Sequence, residues 1–394
     1  MTQENAPETF ETFADWCQHK AQLTPAARYT VDLLLEAAGT PACDQATAAL
    51  AHLTQLEIYG YPLTKTITDI APIGSLMNLT ELDLSGNDIV NLAPLAKLTN
   101  LTQLDLGDNY RIKDIAPLAH LPHLKGLGLY NNRIVDVSPL ASLTHLVELD
   151  LGGNDLMDIS PLASLTHLTA LDLGGNDLVD VSPLASLTRL TELDLSGNDL
   201  VDIAPLASLN ALTQLYLEKN HLTDLLPLAQ LNRLRSLHLV GNHLVEIAPL
   251  ANLTQLLALD LGFNNLSDLT PLARLTHLTR LTLRNNQLVD LTPLASLTHL
   301  TELNLYNNQI ADVTPLARLT NLQKLDLGVN QITDVTPLAS LTHLKSLNLG
   351  INQVTDVAPL VNLQHLTDLW LFCNPLDPLA RLQMHWLVRT LRRL

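Results

Sequence analysis

Leucines and polar residues alternate in a fixed order that returns along most of the chain. Between Leu149 and Leu162, Leu149 and Leu151 flank Asp150, the period-two mark of a short strand with one buried face. Asn154 follows where the chain turns away, and its amide can both donate to and accept from backbone groups that would otherwise be buried unpaired. Ser160-Pro161 offers a capping hydroxyl and a proline at the first helical position, which predicts a short 3₁₀ or α turn opposite the strand. Asp158, two residues before the turn, is placed to accept from nearby backbone amides.

Asparagines equivalent to Asn154 stand at Asn87, Asn109, Asn132, Asn176, Asn198, Asn220, Asn242, Asn264, Asn286, Asn308, Asn330, Asn352 and Asn374. The step is 22 residues except between Asn109 and Asn132, where an extra residue near Tyr110-Arg111 makes it 23. An earlier unit, LTQLEIYGY, puts Tyr61 at the asparagine position and is read as an irregular first repeat, since terminal repeats lack one neighbour. Prolines recur at one phase from Pro72 to Pro359, and seven of the fourteen follow Ser or Thr, in support of the capping account. The prediction is an α/β solenoid of about fifteen units over residues 51–374, a right-handed superhelix with a parallel concave sheet and short 3₁₀ turns on the convex side. At ~4.8 Å per strand the sheet would run roughly 70 Å.

The ends differ in kind. Residues 1–50 lack the period and carry helix signals: Phe10, Phe13 and Trp16 in one apolar stretch, Thr24-Pro25 opening a run that Gly39 closes, and Asp44 starting another. This reads as a helical N-terminal cap. Over 375–394, Leu379, Leu382, Trp386, Leu387, Leu391 and Leu394 fall near helical spacing among several arginines, which predicts a capping helix rather than a membrane-surface one.

Charge narrows the partners. Twenty-two Lys and Arg against 40 Asp and Glu leave a net charge of -18, which opposes binding to phosphate backbones and makes nucleic acid an unlikely ligand class. The N-terminus has no basic region leading into an apolar stretch, and no run of apolar residues is long enough to span a bilayer, so a cytoplasmic, membrane-free protein is expected. Three cysteines are too few for a disulfide framework; Cys17 and Cys43 could meet in the N-terminal segment, as a disulfide or, in a reducing compartment, as free thiols.

The motif LTxLxxLDLxxNxLxDxxPLAxL, nearly intact at Leu143–Leu165, Leu165–Leu187 and Leu319–Leu341, resembles the 22-residue leucine-rich repeats of bacterial internalins and of a eukaryotic phosphatase-regulator subunit. The resemblance covers about residues 51–374. It implies a non-catalytic scaffold that binds a protein through the variable positions of its concave strand face. The alternative it raises is an exported internalin-like adhesin or effector.

The exposed strand positions separate into two regions, of which the second breaks the consensus. Residues 148–202 hold eleven Asp or Glu against Arg189 alone, and Asp150, Asp172 and Asp194 should form a carboxylate ladder that could attract a basic partner or weakly hold cations such as Ca²⁺. The competing reading is duplication of a solvated repeat. From Tyr216 onward the same columns hold Tyr216, Glu218, Lys219, His221, His238, Val240, Phe263, Arg280, Arg284, Tyr306, Trp370 and Phe372, residue types enriched in binding hot spots and not required by the repeat's own packing. Trp370 and Phe372 could instead pack on the C-terminal cap.

Histidines recur in one column, His123, His145, His167, His277, His299, His343 and His365, but a metal site needs three or four convergent ligands. No nucleophile elbow, phosphate loop or HExxH appears. The expectation is a monomeric, cofactor-free protein-binding scaffold.

Overall fold

The structure, a computed structural model, describes residues 10–60 and 66–378. The chain forms two compact units, residues 1–190 and 191–394. The first opens with three helices, α1 (Phe13–Gln18), α2 (Pro25–Ala37) and α3 (Cys43–Leu50). Thr12 and Asp15 make a reciprocal capping box on α1, and Thr24 caps α2 ahead of Pro25, so these starts follow from local chemistry. Gly39, at φ +70°, closes α2 as expected. Thr30 of α2 donates to the Asp69 carbonyl at 2.6 Å, tying the helical segment to the first repeat.

Cys17 and Cys43 are joined as a disulfide, the first of the two alternatives the sequence left open: α1 and α3 pack side by side and bring the two sulfurs together. The C-terminal helix expected over 375–394 lies outside the described residues beyond position 378, as does Tyr61.

Strands β1 (Gln55–Glu57), β2 (Glu81–Asp83), β3 (Gln103–Asp105), β4 (Gly126–Gly128), β5 (Glu148–Asp150) and β6 (Ala170–Asp172) follow in the first unit. The second holds β7 (Glu192–Asp194), β8 (Gln214–Tyr216), β9 (Ser236–His238), β10 (Ala258–Asp260), β11 (Arg280–Thr282), β12 (Glu302–Asn304), β13 (Lys324–Asp326), β14 (Ser346–Asn348) and β15 (Asp368–Trp370). Within each unit neighbouring strands pair in parallel and in the repeat's own register, for example Leu127 on Leu149 and Leu259 on Leu281. In most strands the middle leucine is buried and the flanking residues reach solvent; the flanking Gly126 and Ala258 are buried and the middle Leu369 half-buried. In one repeat Leu146, Leu149, Leu151, Leu156, Ile159, Leu162 and Leu165 are all buried, so the core is a stack of aliphatic layers. Truncating one of these leucines to Ala costs about 2–5 kcal/mol.

The asparagine column closes each coil. Asn264 donates to the carbonyls of Leu239, Leu261 and Gly262 at 3.0–3.1 Å and accepts from the Leu244 amide at 3.1 Å, linking its own coil to the preceding one through one buried side chain. Asn132 departs from this: its amide nitrogen donates normally, but its buried Oδ1 has no partner. The 23-residue step lies just before it, and Tyr110 in that stretch takes a left-handed conformation at φ +53°.

Opposite the strands, 3₁₀ turns such as Ser160–Ser164 start at the Ser/Thr/Ala-Pro pairs. The hydroxyl expected to cap them does not. The preceding Asp does so, with Ser160 N on Asp158 at 2.8 Å and Thr270 N on Asp268 at 2.8 Å, while the Thr270 hydroxyl donates to the same carboxylate at 2.6 Å. These hydrogen bonds hold the carboxyls of Asp136, Asp158, Asp268, Asp290, Asp312 and Asp334 below their ordinary range.

Candidate functional site

The outward face of the strands carries three side-chain columns per unit, set by the first strand residue, the third, and the residue two positions later. A fourth column, just before each asparagine, forms its edge. In the first unit the third-residue column holds Asp83, Asp105, Asp150 and Asp172, interrupted by Gly128 on β4. Each of these carboxylates accepts from the backbone amide two residues on, Gly152 N to Asp150 at 3.0 Å and Gly174 N to Asp172 at 2.8 Å among them. The ladder is therefore part of the turn that ends each strand. Burial raises the Asp105 carboxyl, with Asp83, Asp150 and Asp108 adding repulsion, and burial beside the same acids pushes the Tyr130 hydroxyl up to about 12. Among the described residues no three His, Cys, Asp or Glu converge to hold a metal ion.

In the second unit Asp194 accepts from Ser196 N at 2.7 Å, and from β8 onward the column changes to Tyr216, His238, Asp260, Thr282, Asn304, Asp326, Asn348 and Trp370. The candidates fall into clusters along this face. The Tyr216 ring stacks on His238 with centroids 4.8 Å apart, and His238 Nδ1 lies 3.5 Å from a Glu218 oxygen. His221 reaches Asp199 at 3.4 Å and stacks on His243 at 5.7 Å. The Arg284 guanidinium lies 4.9 Å above the Phe263 ring. Lys324 pairs with Glu302 at 3.0 Å, whereas Arg280, exposed on β11, has no ion pair among the described residues. At the far end Trp370 and Phe372 are 45% and 53% exposed, and the Phe372 ring lies on Gly350, where a Cβ would meet it at 2.5 Å.

His238, Asp260, Arg280, Glu302, Lys324 and Trp370 are among the residues lining an open trough of about 680 Å³ across β9–β15. Seven strand spacings separate Tyr216 from Trp370, roughly 34 Å. Side chains strung over that distance suit a polypeptide better than a small substrate, whose site is a compact cleft.

Two features were not read from the sequence. The histidine column is scaffolding: Nδ1 of His167, His277, His299 and His343 lies 2.9–3.0 Å from the carbonyl of the Thr 23 residues earlier, and Asn321 makes the same bond to Thr298. The Asn replacements at this phase were the available signal. The second is the edge column, where every residue from Gly86 to Cys373 takes φ between +51° and +71°. A side chain with a Cβ costs about 1–2 kcal/mol in this conformation, least for Asn and Asp. The first unit uses Gly86, Asp108, Asn131, Gly153 and Gly175; the second includes Lys219, Phe263, Val329, Ile351 and Cys373.

A family model for leucine-rich repeats, in paired copies, matches residues 78–120, 122–164, 146–186, 188–230, 232–274, 276–318, 320–362 and 342–383. Comparison with curated proteins gives no match. Among solved structures, an internalin of Listeria monocytogenes is 32% identical over 92% of this chain and 98% of its own, with a TM-score of 0.72. A leucine-rich-repeat protein of Leptospira interrogans is 27% identical over 86% and 95%, with a TM-score of 0.79. The ectodomain of a plant receptor kinase from Arabidopsis thaliana, solved in complex with Casparian strip integrity factor 2, is 26% identical over 84% of this chain and 45% of its own, TM-score 0.64. With most of its length under the family model and nearly the whole of an internalin matched, the chain belongs to the leucine-rich-repeat proteins, with 22-residue repeats of the internalin type.

Proposed function

We propose that the protein is a binding scaffold that holds a partner protein on the strand face of its second unit. Leucine-rich repeats as a family are generally non-catalytic, and the plant relative above was solved in complex with another protein, which supports the class of function. The observation that carries the site is the exposure of Phe263, Trp370 and Phe372 on the strand face that also carries Arg280 and Arg284, where the first unit, Tyr59 and Tyr130 apart, places small, acidic or amide residues in the same columns. Aromatic and Arg side chains deliver most of the energy at protein interfaces. Replacing Tyr216, Arg284 and Tyr306 together by Ala should weaken affinity capture of the partner more than tenfold with an unchanged melting curve. Equal capture by the variant would move the site off this face.

A second reading concerns the compartment. The Cys17–Cys43 disulfide favours an oxidising environment over the cytosol, and with it the exported, internalin-like alternative. Thiol labelling after rapid acid quenching of cells tests this: the exported reading requires Cys17 and Cys43 blocked until reductant is added. Labelling of both without reductant would return the protein to the cytoplasm.

A further inference from the structure

The bond that makes the histidine column part of the scaffold engages one nitrogen of each ring. His299 and His343 hold the carbonyls of Thr276 and Thr320 through Nδ1 at 3.0 and 2.9 Å. A carbonyl only accepts, so Nδ1 carries the proton and Nε2 of the neutral ring is a bare acceptor. Protonation adds a charge and a second donor at Nε2 without breaking the scaffold bond, and imidazole is the side chain that makes this change between about pH 5 and 8.

The flank that carries this column differs in charge from the rest of the chain. In a protein with 40 Asp and Glu, the run from the end of each 3₁₀ turn to the start of the next strand holds none of them, in any repeat from Ala96–Thr102 to Val361–Thr367. Only two lysines stand in the last position of these runs, Lys125 and Lys345, and each marks a depression. The one at Lys345, about 410 Å³, is lined in part by Asn321, Gln323, His343 and His365. The one at Lys125, about 590 Å³, is lined by Asn100, Thr102, His123 and His145. Both have one plan: Lys and His share a coil, a second His stands on the next coil, and an Asn stands on the one before. The two asparagines make the scaffold bond in place of a ring, Asn100 to Met77 at 2.9 Å and Asn321 to Thr298 at 2.8 Å. Lys345 Nζ donates to Gln323 at 3.1 Å, which holds the ammonium at the wall of its depression.

The other titratable groups in or beside these runs are few. At the first depression they are Lys97, His120 and Glu148. At the second they are His299, Arg318, Glu302, Lys324 and Asp368; Glu302 pairs with Lys324, and Asp368 accepts the Thr367 hydroxyl at 2.9 Å. Neither lining contains a carboxylate. The net charge of -18 repels an anion at a distance, so occupancy turns on charge added within the depression itself. A lysine between two imidazoles presents point donors from several directions, whereas a carboxylate is matched by the planar fork of Arg.

We propose that each depression binds a tetrahedral oxyanion, a sulfate or phosphate group that is free or carried as an ester, and takes up protons on its histidines as it does so. These sites lie off the strand face and do not rest on the reading of that face as a partner surface.

Sulfate keeps its charge through the relevant pH range, so equilibrium dialysis of radiolabelled inorganic sulfate against the full chain tests the sites. Two sulfates should bind per chain, roughly tenfold more tightly at pH ~5.5 than at pH ~7.5. Lys125→Gln and Lys345→Gln should each remove one of them. His343→Asn with His365→Asn should leave the melting temperature unchanged, because Asn321 makes the same bond, and should erase the pH dependence at that depression alone. A short sulfated dextran, measured alongside, separates the sources: much tighter binding than sulfate, lost in the same variants, identifies an ester on a larger molecule, and equal binding identifies the free ion. Affinity that is the same at both pH values would overturn the proposal, as would binding that survives the two lysine variants combined. Should the histidine variants lose stability, the lysine variants still decide, since both lysines are exposed and outside the core.

Discussion

The strand faces of the two units are built on one hydrogen-bonding plan and display different chemistry, mostly acidic in the first and mixed in the second. In the first, Asp83, Asp105, Asp150 and Asp172 each hold a turn amide, and the edge column is Gly, Asp or Asn throughout. In the second, Asn304 and Asn348 hold the same amide of Tyr306 and Gly350 at 2.9–3.0 Å, so that turn does not need a charge. Tyr216, His238, Thr282 and Trp370 occupy the column with side chains that do not accept that amide, so the scaffold also tolerates its loss. What a column must supply is therefore small, and what it shows to solvent is open to selection. The acidic face is the plan repeated; the mixed face is the plan overwritten.

If the plan is shared, damage to it should cost the same in both units. Asn154→Ala and Asn264→Ala each remove donors to three carbonyls and orphan a buried amide, that of Ile134 or Leu244, and should lower unfolding stability by about 3 kcal/mol in urea titrations. A difference of more than about 1 kcal/mol between them would break the equivalence. Asn132→Ala sharpens the test inside the first unit. Its Oδ1 accepts nothing, so no amide is orphaned, and the loss should be about 1 kcal/mol smaller than at Asn154.

The period made most of this fold readable. Leucines at strand spacing, a recurrent Asn and a Pro at constant phase place the strands, the buried polar column and the 3₁₀ turns directly, and the helix starts at Thr12 and Thr24 carry local capping chemistry. Three things escaped for physical reasons. Ser160 and Asp158 are both expected to serve the turn, and the missed point is that the hydroxyl makes no cap while Asp158, two residues before the turn, reaches the Ser160 amide. The disulfide depended on how α1 and α3 pack, which the spacing of 26 residues does not fix. The left-handed edge was masked by its occupants: glycines at Gly153 and Gly175 pointed to it, but Phe263, Val329 and Ile351 conceal a backbone requirement behind side chains that read as ordinary hydrophobes. The candidate site was legible as a break in the consensus, and its division into clusters was not.

The edge column gives the next contrast. Gly175→Val places a β-branched residue at φ +64° in the first unit, and should destabilise by about 1–2 kcal/mol. Val329→Gly, the reverse change in the second unit, relieves the strain but loosens the unfolded chain and removes half-buried surface, so it should lie within about 1 kcal/mol of the parent. Equal destabilisation by both would mean that side-chain packing, rather than backbone conformation, governs this column.

The smallest expected effect separates the two faces by charge. Asp105→Asn keeps an oxygen for the Gly107 amide, as Asn348 does for Gly350, while removing a carboxylate whose pKa is raised first by burial and then by Asp83, Asp150 and Asp108. A raised folded-state pKa means that the native protein binds the proton more tightly than the unfolded chain, so the charged form destabilises at neutral pH and the penalty fades as pH falls. Discounted for solvent screening, the substitution should stabilise by ~0.5 kcal/mol at pH 7, with the gain disappearing toward pH 4 and shrinking in salt. Asp260→Asn should gain less, because His238 and Arg284 already offset the burial of that carboxylate. The turn carboxylates run the other way. Asp158 and Asp268, held below the ordinary range by their hydroxyl and amide donors, contribute stability above the usual carboxylate pKa that is lost as pH falls through their lowered values. Denaturation midpoints of Asp105→Asn and Asp158→Asn, followed from neutral to acid pH, should therefore diverge from the parent in opposite directions at pH 7 and converge on it in acid; parallel curves would show that neither column senses its charge.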